Sequence, residues 1–159
     1  MKIKIGIVDD HQLFLKSLAL MLHSFNNYDV IVEASNGKDL QKKITDSKSM
    51  PEIMLIDVNM PVMDGIATAT WLNENYPQIK LVALSQNDGD KAIIDMLKAG
   101  CCSYLLKDTH PNELEKALNE IYEKGFYNAD ASNINFRRFL QLEKEALHIT
   151  EKEKKFLQL

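Results

Sequence analysis

Five polar side chains stand where short apolar runs of the sequence stop, and their types suit a site for a cation and a phosphoryl group. Asp9 and Asp10 follow "IKIGIV", Asp57 ends "EIMLID", Ser85 ends "IKLVALS" and Lys107 ends "CSYLLK". Carboxylates brought together in a partly desolvated site repel one another and require a cation between them. Oxygen ligands favour Mg²⁺, which keeps several waters and commonly bridges to a phosphate. The sequence therefore predicts a magnesium site.

The same residues provide the other groups that phosphoryl transfer requires. An aspartate carboxylate can act as a nucleophile and form an aspartyl-phosphate, and Asp57 ends the third predicted strand, which is expected at or near the middle of the sheet. The Lys107 ammonium would neutralise phosphoryl oxygens, and the Ser85 hydroxyl would donate a hydrogen bond to one of them. A lone aspartate after a strand, such as Asp10 or Asp64, is more often a helix N-cap. The prediction therefore depends on the whole set.

An alternation of strand-like and helix-like segments positions these residues. Apolar, β-branched runs predict strands, whereas helical spacing of apolar residues and end signals such as Pro111, Gly100 and Gly125 predict helices. The predicted strands are 3–8, 28–34, 52–57, 79–85 and 102–107, and the predicted helices are 12–25, 37–46, 66–76, 90–100 and 111–125. This pattern indicates a parallel sheet covered on both faces, which binds its ligand beyond the carboxyl ends of the strands.

Length, composition and charge limit the class of protein. A chain of 159 residues that is 45% hydrophobic and 26% charged can bury one domain and leave a tail. The formal net charge of -4 disfavours binding of this chain alone to nucleic acid. The sequence lacks a signal-peptide pattern and an apolar run of membrane-spanning length, so we expect a soluble cytosolic protein without membrane contact. Cys101 and Cys102 are expected to be packing thiols.

Four motifs in order resemble the receiver domain of bacterial two-component response regulators. They are "IVDDHQ" after the first strand, "LIDVNMPVMDG" after the third, "ALS" at the fourth and "AGCCSYLLKD" at the fifth, and the resemblance covers residues 1–125. It implies a flavodoxin-like (CheY-like) α/β fold, a doubly wound five-stranded parallel sheet in the order 2-1-3-4-5 with helices on both faces. Asp108 replaces the proline that often follows the lysine, and this Lys-Asp pair is similar to the NarL/FixJ-type branch.

The resemblance also implies roles for individual residues around a metal. Asp57 is implied to be the phosphoacceptor, and Asp9 and Asp10 are implied to hold Mg²⁺ together with Asp57. The backbone carbonyl of Asn59 is implied to complete the metal site. The implied phosphate donor is a partner sensor histidine kinase.

A second group of residues is implied to sense the phosphate. Ser85 and Lys107 are implied to contact the phosphoryl group, and Tyr104 is implied to be an aromatic switch residue that turns inward when Ser85 is drawn toward the phosphate. Pro61 and Gly65 are implied to shape the loop that holds Asp57. Taken alone, Tyr104 is also typical of a half-buried strand aromatic. Some apolar positions of the last helix could face a partner in a phosphorylation-dependent homodimer.

The residues after the receiver-like region bear on the output. Residues 126–149 are predicted to be a partly helical linker, and a capping box formed by Thr150 and Glu153 predicts that a helix begins in 150–159. That stretch is similar to the opening of the LuxR-type helix-turn-helix domain. Because the predicted helix stops after about two turns, we expect the full-length protein to continue into a DNA-binding domain that controls transcription. The alternative is a stand-alone receiver without DNA output.

An enzyme is the second hypothesis, because haloacid-dehalogenase-type phosphatases also use a nucleophilic aspartate, Mg²⁺, Ser/Thr and Lys on a parallel sheet. Those phosphatases require a second carboxylic acid two positions after the nucleophile. That position here is Asn59, and Asp57 follows the third strand instead of the first. We therefore expect a switch with at most slow self-phosphorylation and self-dephosphorylation. His11 is not expected to be a metal ligand, because it lacks a second nitrogen or sulfur partner.

Overall fold

Strands and helices alternate strictly in the computed structural model, which describes residues 2–86 and 90–125. The strands are β1 (Ile3–Val8), β2 (Tyr28–Ala34), β3 (Ile53–Asp57), β4 (Lys80–Ser85) and β5 (Ser103–Leu106). The helices are α1 (Gln12–Ser24), α2 (Gly37–Asp46), α3 (Gly65–Asn75), α4 (Asp90–Lys98) and α5 (Pro111–Lys124). Every strand and helix expected before residue 126 is present, with ends within about two residues of the predicted ones. The predicted linker at 126–149 and the helix at 150–159 lie outside the described residues.

The five strands form one parallel sheet in the order β2-β1-β3-β4-β5, which confirms the predicted topology. The chain moves outward from β1 to β2 and then returns to place β3 on the other side of β1. Connections that leave neighbouring strands in opposite directions open a crevice at their carboxyl ends. That crevice lies between β1 and β3, where Val8 pairs with Ile56 and the next residues are Asp9 and Asp57.

Both faces of the sheet are buried, and β3 is buried at every residue. On one face, α1 and α5 pack on the strands in a single cluster that includes Leu15, Leu18, Leu22, Leu114, Leu118, Ile121, Ile5, Ile7, Leu55 and Leu84. The alternate side chains of β3, Met54 and Ile56, are equally buried and point to the other face, which α2, α3 and α4 cover. A strand covered on both sides must be apolar until its end, so the first charged residue of β3 is at the sheet edge.

The helix ends use local signals that the sequence displays. The side chain of Asn36 accepts a hydrogen bond from the backbone N–H of Asp39 at 2.9 Å to cap α2, and Gly125 ends α5 in the left-handed conformation at φ 84°. The N-cap of α1 is His11, not Asp10. Asp10 is therefore not the N-cap of α1, and its carboxylate is available at the carboxyl end of β1. In the described part of the chain no helix is long and apolar enough to cross a membrane.

Candidate functional site

The carboxyl ends of four strands bring the predicted polar residues to one edge of the sheet. Asp9 and Asp10 follow β1, Asp57 and Ser85 are the last residues of β3 and β4, and Lys107 follows β5. The backbone N–H of Lys107 donates a hydrogen bond to the carbonyl of Ser85 at 2.8 Å, which ties the β5 end to the β4 end. The rigid sheet therefore fixes where each of these side chains begins.

The Lys107 ammonium lies among the carboxylates. Its Nζ is 2.7 Å from Asp9 Oδ2 and 3.4 Å from Asp57 Oδ1, and the Lys107 side chain is 9% exposed. The contact with Asp9 is a close ion pair. One largely buried cation thus offsets part of the repulsion between two buried carboxylates.

The loop after β1 orients Asp9 through its own backbone. Asp9 is fully buried, and its Oδ1 accepts a hydrogen bond from the backbone N–H of His11 at 2.9 Å. The His11 Nδ1 is 3.8 Å from Asp9 Oδ1 and 4.0 Å from Asp10 Oδ1, while the His11 side chain is 61% exposed. His11 therefore lies at the rim of the site, and its exclusion as a metal ligand stays a prediction.

Asp57 occupies a position that favours its protonated form when no cation is bound. Burial, which is the largest cause, and the negative charge of Asp9 together raise the pKa of Asp57 to about 7, while the positive charge of Lys107 acts in the opposite direction. The backbone N–H of Asn59 donates a long hydrogen bond of 3.4 Å to Asp57 Oδ1. The site thus carries more negative charge than Lys107 alone neutralises.

The donor set fits a hard divalent cation. Asp9, Asp10, His11 and Asp57 each offer an atom that lies within 4.8 Å of those of the other three. Asp10 Oδ1 is buried and accepts no hydrogen bond, which is costly for a carboxylate oxygen unless a ligand completes its environment. Three carboxylates in this arrangement match the oxygen ligands that Mg²⁺ prefers, so the residues present fit the predicted magnesium site.

Asn59 is close to Asp57, and Tyr104 is on the strand next to Ser85. Asn59 is exposed beside Asp57, and the role of its carbonyl as a metal ligand stays a prediction. Tyr104 is buried on β5 and pairs with Ala83, two residues before Ser85 on the neighbouring strand. The ring is thus buried in this conformation, and its movement on phosphorylation stays a prediction.

The loop after β3 approaches the end of that strand so closely that it requires glycine. A Cβ added to Gly65 would lie 2.3 Å from the backbone carbonyl oxygen of Asp57 and 2.8 Å from Val58 Cα. The Gly65 N–H donates to the carbonyl of Val58 at 3.0 Å, and the Met63 N–H donates to the carbonyl of Pro61 at 2.7 Å. The start of α3 is therefore packed directly against the end of β3, and the roles of Pro61 and Gly65 in holding Asp57 stay predictions.

One residue at the site was missed by the sequence interpretation. The ring of Phe14, in the first turn of α1, lies with its centroid 4.7 Å from Lys107 Nζ. The sequence displays Phe14 only as one apolar residue among several at helical spacing. Its position four residues after Asp10 is the single signal that places it near the acidic edge, by which we mean the carboxyl ends of β1 and β3 with Asp9, Asp10 and Asp57.

Comparisons with known proteins identify the family to which the chain is similar. A family model described as the response regulator receiver domain matches residues 5–119. The chain is 31% identical over 126 residues to the transcriptional regulatory protein DegU of Brevibacillus brevis, which covers 79% of this chain and 52% of DegU. It is 33% identical over 146 residues to a protein-glutamate methylesterase/protein-glutamine glutaminase of Methanococcoides burtonii, covering 89% of this chain and 40% of that protein.

A solved structure gives the same result at the level of the fold. The signal receiver domain of the response regulator NarL from Mycobacterium tuberculosis superposes with a TM-score of 0.70 at 26% identity, covering 77% of this chain and 98% of that domain. The chain spans about half the length of DegU and less of the methylesterase. The family model matches residues 5–119, which include the carboxyl ends of all five strands, and this match shows that the chain belongs to the family of response regulator receiver domains.

Proposed function

We propose that this receiver is a phosphorylation-controlled switch in which Asp57 accepts a phosphoryl group from a partner sensor histidine kinase. The observation that carries the proposal is the position of Lys107 Nζ, 2.7 Å from Asp9 Oδ2 and 3.4 Å from Asp57 Oδ1, beside the unpartnered buried oxygen of Asp10. A carboxylate at the end of a rigid central strand, next to a fixed ammonium, is held in the geometry that attack on phosphorus requires.

The proposed transfer is an in-line displacement. An Asp57 carboxylate oxygen forms a bond to phosphorus while the bond from phosphorus to the kinase histidine nitrogen breaks, and the electron pair stays on that nitrogen. Lys107 neutralises charge on the phosphoryl oxygens, and the Ser85 hydroxyl donates a hydrogen bond to one of them. Asp9, Asp10, Asp57 and the Asn59 carbonyl would hold Mg²⁺, which supplies positive charge for the carboxylates and the phosphoryl group.

The proposed output is a shift between two conformations. Contacts of the phosphoryl group with Ser85 and Lys107 favour the active conformation, and Tyr104 on β5 transmits the change to the surface around β5. Added negative charge alone would not favour the active state, so differential contacts must do so. Asn59 lacks the carboxylic acid that a turnover phosphatase needs at that position, which supports a switch and not an enzyme.

Control of transcription is the proposed result of switching. The name of DegU describes a transcriptional regulator, and this chain covers 52% of its length. In our proposal a DNA-binding domain of the full-length protein contacts DNA, and phosphorylation promotes a homodimer of the receiver. The name of the methylesterase relative describes a different output, so the output requires its own test. Sedimentation velocity of phosphorylated and unphosphorylated protein measures whether phosphorylation causes dimerisation. An unchanged sedimentation coefficient would exclude dimerisation of this chain as the output.

The first experiment is intact-mass analysis after incubation with acetyl phosphate, with Mg²⁺ and with a chelator. We expect a single Mg²⁺-dependent phosphate adduct on the wild type and none on Asp57→Asn. Asp64→Asn is the matched control, because Asp64 lies in the same loop but caps α3 through the N–H of Ala67, a role that asparagine also fulfils. A folded wild type without an adduct would overturn the proposed function.

A further inference from the structure

We propose that Phe14 is a positioning residue that holds the Lys107 ammonium at the acidic edge. This inference rests on the proposed function, in which Lys107 contacts the phosphoryl group. The Phe14 ring centroid is 4.7 Å from Lys107 Nζ, within the range in which the negative face of an aromatic ring attracts a cation. The ammonium is thus in contact with two carboxylates, those of Asp9 and Asp57, and with the face of an aromatic ring.

The backbone links Phe14 to the loop that carries the acidic pair. The His11 N–H donates to Asp9 Oδ1 at 2.9 Å, and the His11 carbonyl accepts the N–H of Leu15 at 2.9 Å. The β1–α1 loop and the first turn of α1 therefore form one hydrogen-bonded unit. The backbone that carries the Phe14 ring is consequently held close to the carboxylate that pairs with Lys107.

Phe14 and Lys107 line the same cavity, so packing alone does not hold the Lys107 side chain in one position. The cavity has a volume of about 170 Å³ and is lined mainly by apolar residues, including Phe14, Leu18, Met21, Leu106, Lys107 and Leu114. Lys107 lines this space, so its side chain has room to adopt a rotamer that points away from Asp9 and Asp57. The ring attracts the ammonium where it now lies, and this attraction is greatest for a desolvated cation such as one on a side chain that is 9% exposed.

The expected consequence is a loss of rate when the ring is replaced by an aliphatic side chain of similar size. Phe14→Leu keeps the apolar packing but removes the negative ring face, so Lys107 spends less time beside Asp57. A contact of the usual cation–π strength corresponds to a decrease in the phosphorylation rate by about two- to thirtyfold. Phe14→Tyr keeps the ring face and should keep a rate close to that of the wild type.

The test compares Phe14→Leu, Phe14→Tyr and Met21→Leu with the wild type. Met21 lines the same cavity and is half-buried, so Met21→Leu repeats the aliphatic replacement without removing an aromatic ring. Two quantities are measured: the rate of Mg²⁺-dependent adduct formation with acetyl phosphate, and the NMR shift of the Lys107 ε-methylene protons in metal-free protein. Thermal unfolding midpoints report whether any variant is merely destabilised.

We expect ring-current displacement of the Lys107 ε-protons in the wild type and Phe14→Tyr, its loss in Phe14→Leu, and slower phosphorylation only in Phe14→Leu. Equal rates for Phe14→Leu and the wild type, or equal slowing by Met21→Leu, would overturn the positioning role. An undisplaced Lys107 signal in the wild type would also overturn it. Because that signal needs no phosphate, it remains decisive if the wild type accepts none and the proposed function fails.

Discussion

Asp57 is held where an uncharged acid is more stable than a carboxylate. Its side chain is buried at the end of β3 and faces Asp9, and these causes raise its pKa to about 7, whereas an aspartate in an unfolded chain titrates near 4. The folded state therefore binds this proton more tightly than the unfolded state. The resulting stabilisation is fully present below about pH 4 and is lost as the pH rises through 7.

Asp57→Asn should therefore stabilise the metal-free protein in a pH-dependent way. The neutral amide resembles the protonated acid, so the variant and the wild type should have similar free energies of unfolding at about pH 3.5, where Asp57 is largely protonated in both the folded and the unfolded state. At pH 8 the variant should be more stable by about 2–4 kcal/mol. Urea unfolding in a chelator, followed by circular dichroism, measures both values. Asp64→Asn, which changes an exposed charge, should show no such trend, and an Asp57→Asn effect that is equal at both pH values would contradict the assignment.

At the scale of secondary-structure elements, the contact between the start of α3 and the end of β3 determines where Asp57 points. The Cβ of an alanine at position 65 would meet the backbone oxygen of Asp57 at 2.3 Å, and backbone atoms of a central strand cannot move aside. The equivalent Cβ at Gly6 would meet Met54 Cε at 2.7 Å, which is the end of a flexible side chain. The two glycines therefore allow a matched comparison.

Gly65→Ala should lower the free energy of unfolding by about 3 kcal/mol and Gly6→Ala by about 1 kcal/mol, because overpacking against rigid backbone costs more than moving a methionine. Only Gly65→Ala should also slow phosphorylation of the folded protein, since it displaces the strand end that carries Asp57. Denaturant unfolding and adduct formation with acetyl phosphate give the two readouts. If Gly6→Ala slows phosphorylation to the same extent, the contact between α3 and β3 has no special part in orienting Asp57.

The sequence was sufficient to predict the strands and helices, because the signals that start and end them are local. Apolar runs, Pro111 and the left-handed Gly125 each act within a few residues, and parallel strands then bring their carboxyl ends to one edge. The sequence does not predict that Lys107 lies closer to Asp9 than to Asp57, because that depends on packing. It likewise gives no sign that Val62 adopts φ 68°, since a β-branched residue disfavours that conformation unless the loop imposes it.

At the scale of the whole molecule, the site lies at the carboxyl ends of the strands, and the two cysteines lie at the amino end of β5. Lys107 follows β5, whereas Cys101 and Cys102 precede it, and the Cys102 N–H donates to the carbonyl of Leu81 at 2.9 Å. Cys101 is buried, and this burial raises the pKa of its thiol. Reaction of Cys101 with a thiol reagent therefore requires the protein to open, since both access and the thiolate form are suppressed.

A cation bound beside Asp10 should therefore protect Cys101 at the amino end of β5. In a Cys102→Ala background, Mg²⁺ at about one hundred times its dissociation constant stabilises the folded state by about 2.7 kcal/mol, which slows labelling about a hundredfold if Cys101 reacts only through global unfolding. The rate of reaction with a chromogenic disulfide reagent, with and without Mg²⁺, measures this. Asp10→Asn, which weakens the metal site, should remove most of the protection. If labelling in the Cys102→Ala parent is slow but has the same rate with and without Mg²⁺, Cys101 reacts through a local opening at the amino end of β5. In that case the two ends of the strands would not unfold as a single cooperative unit.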